Sequence, residues 1–176
     1  MSIEKYGLLK GKKGIIFGAL DDRSIAWRIA LACKREGAEF VLSNAPIALR
    51  LGTLNTLSEK TGAPIIPCDV TSNDQIESLV DQTKKHFGGG VDFVLHAIGM
   101  SPNIRKKKEY TDLNYKWFHQ SLDISAISLP RILHHLDARG GLNDGASVVA
   151  LSYIGAQLIF SKYSDMNDAK ALLESI

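Results

Sequence analysis

A chain of 176 residues with 45% hydrophobic and 23% charged side chains has the balance of a folded globular protein with a sizeable core. The formal net charge of +2, with basic residues spread along the chain apart from Arg105 to Lys108, is too small to argue for a nucleic-acid partner. No window approaches the length of a membrane span and residues 1–13 lack a leader pattern, while Cys33 and Cys68 sit far apart in apolar patterns as reduced, packed thiols, so a cytoplasmic chain is expected.

Gly14 to Gly18 is a short apolar run bounded by glycine, the pattern of a strand buried on both faces of a parallel sheet. After the loop Ala19 to Arg23, Ser24 stands at a cap position, and Ile25, Ala26, Ile29, Ala30 and Cys33 recur at helical spacing until Gly37. A second strand, Glu39 to Ser43, leads through Asn44 as cap and Pro46 in the first turn into a helix reaching about Lys60, with Gly62 as its stop. The third strand candidate, Pro64 to Cys68, contains Pro67, which cannot donate to a ladder and so belongs at a sheet edge.

Ser72 and Gln75 form a capping box opening a helix to Phe87, which Gly88 to Gly90 break. Val91 to His96 is a fourth strand running into Ala97-Ile98-Gly99, and a polar loop covers Met100 to Tyr110. A long helical pattern spans Asp112 to Leu136, where Pro130 predicts a kink or break. Gly140 to Gly145 reads as a turn, Ser147 to Leu151 as a buried fifth strand, and a last helical pattern carries Lys170 and runs to Ile176. This alternation predicts an α/β fold, a Rossmann-like doubly wound parallel sheet of about five strands in the order 3-2-1-4-5 with helices on both faces. Residues 1–176 are expected to form a single dinucleotide-binding domain, incomplete because the sixth strand of that pattern does not arrive.

Three strand ends carry candidate ligand contacts. The turn at Gly18, with Ser24 and Ile25 opening the helix, is where a pyrophosphate would meet backbone N–H groups, although the three-glycine fingerprint is absent and an ordinary strand-to-helix turn reads equally well. Asp69 and Val70 follow the third strand, where the carboxylate suits an adenine amino group and the valine its ring. Ile98 and Gly99 follow the fourth, where glycine lets a ligand approach the backbone. Beyond the fifth strand, Tyr163 and Lys170 lie seven residues apart, close to two helical turns, and would share a face. A lone tyrosine is more simply an amphipathic surface residue. His134 and His135 are adjacent and point about 100° apart on a helix, a poor metal pair, so no metal is expected, and His96 reads as a packing residue.

Taken jointly, Gly18 with Ser24-Ile25-Ala26, Asp69-Val70, His96 to Gly99, Asp123-Ile124-Ser125, and Leu151-Ser152-Tyr153 through Tyr163 to Lys170 resemble the bacterial enoyl-(acyl-carrier-protein) reductases of the short-chain dehydrogenase superfamily, over nearly the whole chain. The spacing is Tyr-x6-Lys, and Ala150 stands thirteen before Tyr163, whereas the superfamily's carbonyl (3-ketoacyl) reductases use Tyr-x3-Lys with a serine there. The resemblance implies hydride transfer from NADH, with NADPH as the alternative, to the trans-2 double bond of an enoyl thioester on acyl carrier protein in fatty-acid biosynthesis. It also implies a homotetramer. Tyr163 would donate to the thioester oxygen, Lys170 would hold the nicotinamide ribose and favour the developing charge, and Tyr153 would border the substrate. Gly18, Ser24, Ile25, Asp69, Val70, Ile98, Gly99 and Lys170 would contact the cofactor.

Two departures from the family accompany it. Asn167 and Asp168 stand where many members carry small or apolar residues, and the family's last strands and substrate-covering loop have no counterpart in the sequence. Ser43-Asn44-Ala45 offers neither the acidic residue that suits NAD nor an arginine for the NADP phosphate, with Arg50 a turn or two away. Arg105 to Lys108 could dock an acidic carrier protein by charge, against the plainer reading of a solvated basic loop. The reading from another class is a dinucleotide-binding or interaction module without catalysis.

Overall fold

The structure, a computed structural model, describes residues 5–176. β1 (Lys13–Phe17) lies between β2 (Glu39–Ser43) and β3 (Val91–His96) and pairs parallel with both. β4 (Leu142–Ala150) completes a four-stranded sheet in the order β2-β1-β3-β4. In the β1–β3 register Gly14 faces Phe93, and a side chain on Gly14 would run into the Phe93 ring. Ile15, Ile16 and Phe17 are fully buried, as an all-apolar strand between two parallel neighbours must be. Each such side chain contributes about 1.5–3 kcal/mol by leaving water.

The expected third strand is reduced to one parallel bridge, Leu42 to Ile65. The segment still runs beside β2: Leu42 N donates to Pro64 O at 2.9 Å, Ile66 N to Leu42 O at 2.9 Å and Cys68 N to Asn44 O at 3.0 Å. Pro64 and Pro67 lack the N–H groups a longer ladder needs, so proline placed the run at the sheet edge and also shortened it. The expected order is otherwise kept. The fifth strand candidate is present as β4 but starts at Leu142, inside the expected turn, and is not buried: Val148 and Val149 are 40% and 52% exposed. An outermost strand has one neighbour, which the hydrophobic run alone did not reveal.

α1 (Ile25–Arg35) and α4 (Asn73–Phe87) match expectation, each closed by a left-handed glycine, Gly37 at φ 91° and Gly88 at φ 72°. The helix expected between Pro46 and Lys60 is two, α2 (Pro46–Leu51) and α3 (Leu54–Thr61). They break at Gly52, whose missing Cβ lets the backbone approach the Leu20 carbonyl, and Thr53 N bonds that oxygen at 3.0 Å. Asn44 does not cap α2. Its amide braces the first loop instead, donating to Ala19 O at 2.9 Å.

Past β3 come α5 (Pro102–Arg105), α6 (Tyr115–Leu122), α7 (Ser128–Ala138) and α8 (Ser164–Ser175). The break expected at Pro130 lies upstream, in a π turn over Asp123–Ile127 where Ser128 N reaches the Asp123 carbonyl. A regular helix would have asked Pro130 for an N–H toward the Ala126 carbonyl and pressed its ring on that oxygen, and widening the preceding turn avoids both.

The chain divides into two compact units, one reaching to Ala97 and including His135–Val149, the other made of Ile98–His134 and Ala150–Ile176. In the first, Val41, Leu42, Leu57, Ile76, Leu79 and Val80 join the β1 side chains in the buried interior. In the second, Ala126, Leu129 and Leu173 form a buried cluster covered by Leu133, Ala150 and Leu172.

Candidate active site

In the first unit, β1 runs into Gly18, which has φ 88° and whose Cβ would collide with the Ala97 carbonyl. Only glycine meets both demands, so the turn brings two backbones together at the ends of β1 and β3. Ser24 occupies the cap position of α1 but makes no side-chain bond to the helix. Its Oγ faces the loop, accepting from Leu20 N and Asp21 N at 3.0 Å each and donating to Asp21 O at 2.6 Å. The hydroxyl that would ordinarily occupy a helix-start N–H group is thereby diverted into shaping the turn, an arrangement compatible with an anion at that helix start. Ile25 is 66% exposed beside it.

At the end of the edge segment, Asp69 Oδ1 accepts from Thr71 N at 3.0 Å and Thr71 Oγ1 at 2.7 Å, while Val70 is buried. The expected capping box is half formed. Ser72 Oγ accepts from Gln75 N at 3.4 Å, but the Gln75 side chain reaches Asp69 N at 2.9 Å rather than Ser72. Asp69 is therefore held from both its carboxylate and its backbone.

In the second unit, Lys170 projects from α8 and is 7% exposed. Its Nζ donates to Ile98 O at 3.1 Å and to Leu151 O at 2.7 Å. Burial pushes the amine down from 10.5 to about 8. Gly99 stands beside the same helix: a Cβ there would lie 3.7 Å from Met166 Cε and 4.0 Å from Lys170 Cε. Met100 N donates to Ser125 Oγ at 3.0 Å, tying the turn at Gly99 to the π turn before α7.

Tyr163 is the cap residue of α8 rather than part of it, and is 50% exposed. The expected shared helical face is thus replaced by a corner, with Ser164 at φ 27° turning the chain into the helix. The Tyr153 ring lies 5.8 Å from that of Tyr163 and 6.3 Å from that of Phe160. Tyr153 Oη donates to Asn167 Oδ1, and the ring lies over Gly155, where any Cβ would collide with it. Burial, then the Tyr163 phenol, push the Tyr153 hydroxyl above its ordinary value.

Of the two residues that depart from the family pattern, Asn167 orients Tyr153, and Asp168 accepts from Tyr110 Oη at 3.2 Å and is pushed up by burial. Asp168 lines a hollow of about 260 Å³ with Tyr110, Phe160, Lys162 and Asn167. No sequence signal marked Asp165, which is fully buried among Ser101, Asn103, Ser121 and its neighbour Ser164, because the first three come from distant parts of the chain. Ser125 was visible in the sequence only through resemblance. Arg105, Lys106 and Lys107 are exposed at the end of α5, and Lys108 pairs with Asp112 at 2.6 Å.

A sequence profile described as Enoyl-(Acyl carrier protein) reductase matches residues 18–176. The chain belongs to this reductase family. The "Enoyl-[acyl-carrier-protein] reductase [NADH] FabI" of Rickettsia felis is 36% identical over 172 residues, a match covering 96% of this chain and 64% of that protein. The crystal structure of the FabI–NADH complex from Alistipes finegoldii superposes with a TM-score of 0.94 at 52% identity, covering 97% of this chain and 60% of that one. The Bacillus cereus enzyme, solved with NADP+ and an indole naphthyridinone, gives a TM-score of 0.86 at 28% identity and 96% coverage of this chain. The chain spans less than two thirds of the length of these reductases.

Proposed function

We propose that this chain carries the dinucleotide-binding and proton-donating portion of an NADH-dependent enoyl-(acyl carrier protein) reductase of fatty-acid biosynthesis. The observation that carries the reading is the Lys170 amine, buried on the carbonyls of Ile98 and Leu151, on the helix that Tyr163 caps beside Tyr153. When bound, a reduced nicotinamide would supply hydride to the β-carbon of a trans-2-enoyl thioester. Negative charge then develops on the thioester oxygen, and a phenol aimed there stabilises it. In this reading Tyr163 is that donor and Tyr153, held by Asn167, borders the acyl group. Lys170 offers its remaining N–H to a ribose hydroxyl and its charge to the developing enolate.

Gly18, Ser24 and Ile25 are proposed to receive the pyrophosphate, Asp69 and Val70 the adenine, and Ile98 and Gly99 the nicotinamide end. The fit rests on the absent side chain at Gly18, the Ser24 hydroxyl turned away from its helix, and the open backbone at Gly99. NADH is favoured over NADPH by the likeness to reductases named for NADH, since the end of β2 presents Asn44, committed to Ala19 O, and neither an acidic residue nor an arginine. An acyl-carrier-protein substrate, a tetrameric assembly and a cytoplasmic setting belong to the same proposal.

The test is NADH oxidation by the full-length protein with a short trans-2-enoyl thioester, comparing wild type with Tyr163→Phe. Turnover lost in the variant while NADH still binds is the expected result. NADH binding without turnover in the wild type would favour a dinucleotide-binding module, and no nucleotide binding would remove the reading altogether.

A further inference from the structure

The Asp165 carboxylate is fully buried, and all four of its donors are uncharged. Oδ1 accepts from Ser101 Oγ at 2.6 Å and Ser164 Oγ at 3.2 Å, and Oδ2 from Asn103 Nδ2 at 2.8 Å and Ser121 Oγ at 2.8 Å. Two donors per oxygen fill the acceptor capacity of a carboxylate, the single Ser121 proton being shared with Trp117 O at 2.9 Å. Charge-assisted bonds of this kind are shorter and about twice as strong as neutral ones. The donors are themselves committed. Ser101 Oγ also accepts from Ile104 N at 3.0 Å as the cap of α5, and Asn103 pairs with the Asn114 backbone at 3.0 and 3.2 Å at the start of α6. Ser121 and Asn103 are fully buried.

Asp165 thus joins α5, α6 and the first turn of α8. It does so two residues after Tyr163, at a corner where Ser164 adopts a left-handed φ of 27° that a non-glycine residue holds only when its surroundings enforce it. The Ser164 hydroxyl is buried and points at the carboxylate, so the bond that satisfies Asp165 also holds the strained turn. That turn sets where the Tyr163 ring emerges.

We propose that Asp165 is the positioning residue of the Tyr163 phenol, fixing through Ser164 the direction in which Tyr163 leaves the chain. This rests on the reading of Tyr163 as proton donor. Asp165→Asn keeps the shape but turns one oxygen into a donor. Facing Asn103 it meets an amide that Asn114 fixes as a donor, so it must face Ser101 and Ser164, whose hydroxyls have to turn from donors into acceptors. The Ser164 bond to a charged acceptor is lost, and a displacement near 1 Å at a reacting group lowers turnover by about 100-fold.

The experiment compares wild type, Asp165→Asn, Ser121→Ala and Tyr163→Phe in the full-length protein labelled with 3-fluorotyrosine. It measures kcat and KM for a short enoyl thioester, NADH affinity by fluorescence, unfolding temperature, and the fluorine resonance assigned to Tyr163 by its loss in Tyr163→Phe. Expected for Asp165→Asn is a fall in kcat of about 10- to 100-fold with NADH affinity unchanged, and a Tyr163 resonance that broadens or splits. If Asp165→Asn does not fold, Ser121→Ala, which removes one donor, should show the same changes more weakly. A lowered unfolding temperature with unchanged kcat and a single sharp Tyr163 resonance, in whichever of these variants folds, would overturn the proposal. If the wild type reduces no enoyl thioester, the enzyme reading fails and the Tyr163 resonance alone decides on Asp165.

Discussion

Lys170 allows a stability measurement that needs neither cofactor nor substrate. Its amine is 7% exposed and pushed down from 10.5 to about 8 by burial. The drop from 10.5 in the unfolded chain to about 8, at about 1.4 kcal/mol for each tenfold change, corresponds to roughly 3 to 4 kcal/mol lost to burying the charge. Below about pH 8 both folded and unfolded states carry the proton, so the whole penalty is present and does not change with pH. Between about pH 8 and 10.5 the unfolded chain binds a proton the folded one has released, so stability rises with pH, and above that range both are neutral and the penalty is gone.

Lys170→Met removes the titration while leaving the carbonyls of Ile98 and Leu151 without their donor, and because methionine does not ionise that loss is a constant offset in the variant at every pH. The assay is urea unfolding of both proteins from about pH 7 to 10.5. The wild type should gain about 3 kcal/mol relative to the variant across the range, or about 1.5 M in midpoint for a slope near 2 kcal/mol/M. Other titrating groups cancel in the difference. A difference constant to about 0.5 kcal/mol would refute the account of a charge held against burial.

Tyr163→Phe should lower kcat by about 100- to 1000-fold with NADH affinity retained, measured by turnover and by cofactor fluorescence. Gly18→Ala should destabilise the protein by more than about 1 kcal/mol, because φ 88° and the nearby Ala97 carbonyl both oppose a side chain, and denaturant unfolding reads this directly. Cys68 is buried and its thiol is pushed up to about 12, so it should resist alkylation at neutral pH until the protein unfolds, as peptide mass spectrometry would record. Replacing Arg105, Lys106, Lys107 and Lys108 by alanine should weaken binding of an acidic carrier protein and flatten its salt dependence if that loop is the docking site, while an unchanged salt dependence would leave a solvated basic loop.

Elements bounded by backbone chemistry were legible in the sequence. α1 and α4 end where expected because Gly37 and Gly88 accept the left-handed conformation that closes a helix, and β2 and β3 because apolar runs stop at polar or glycine residues. What depended on a second segment was not legible. Gly52 splits α2 from α3 to approach Leu20, and nothing near Gly52 announces that neighbour. The exposure of β4 follows from its place at the outside of the sheet, which an apolar run cannot state. In the candidate site, Tyr163 and Lys170 were singled out by spacing and Tyr153 by resemblance, but Asp165 was not, since its donors Ser101, Asn103 and Ser121 stand 64, 62 and 44 residues away. Polar networks closed through tertiary structure leave no period behind.

That distinction bears on how α8 is held. Its buried residues include Ser164, Asp165, Asn167 and Lys170 as well as Ala169 and Leu173, so most of what it hides is polar. Burial of apolar surface is non-directional and would leave the helix some freedom to rotate or slide. Hydrogen bonds fall away steeply with angle, and here they fix both ends of the segment that matters: Asp165 at the Tyr163 corner, and Lys170 on two carbonyls five residues later. Asn167 between them reaches out to Tyr153. A helix secured in this way presents its functional groups at defined angles, and it does so at the expense of stability that an apolar face would have supplied. The Lys170→Met measurement reads that expense directly: the more the protein gains as the amine loses its charge, the more stability has been given up to hold a cation in that place.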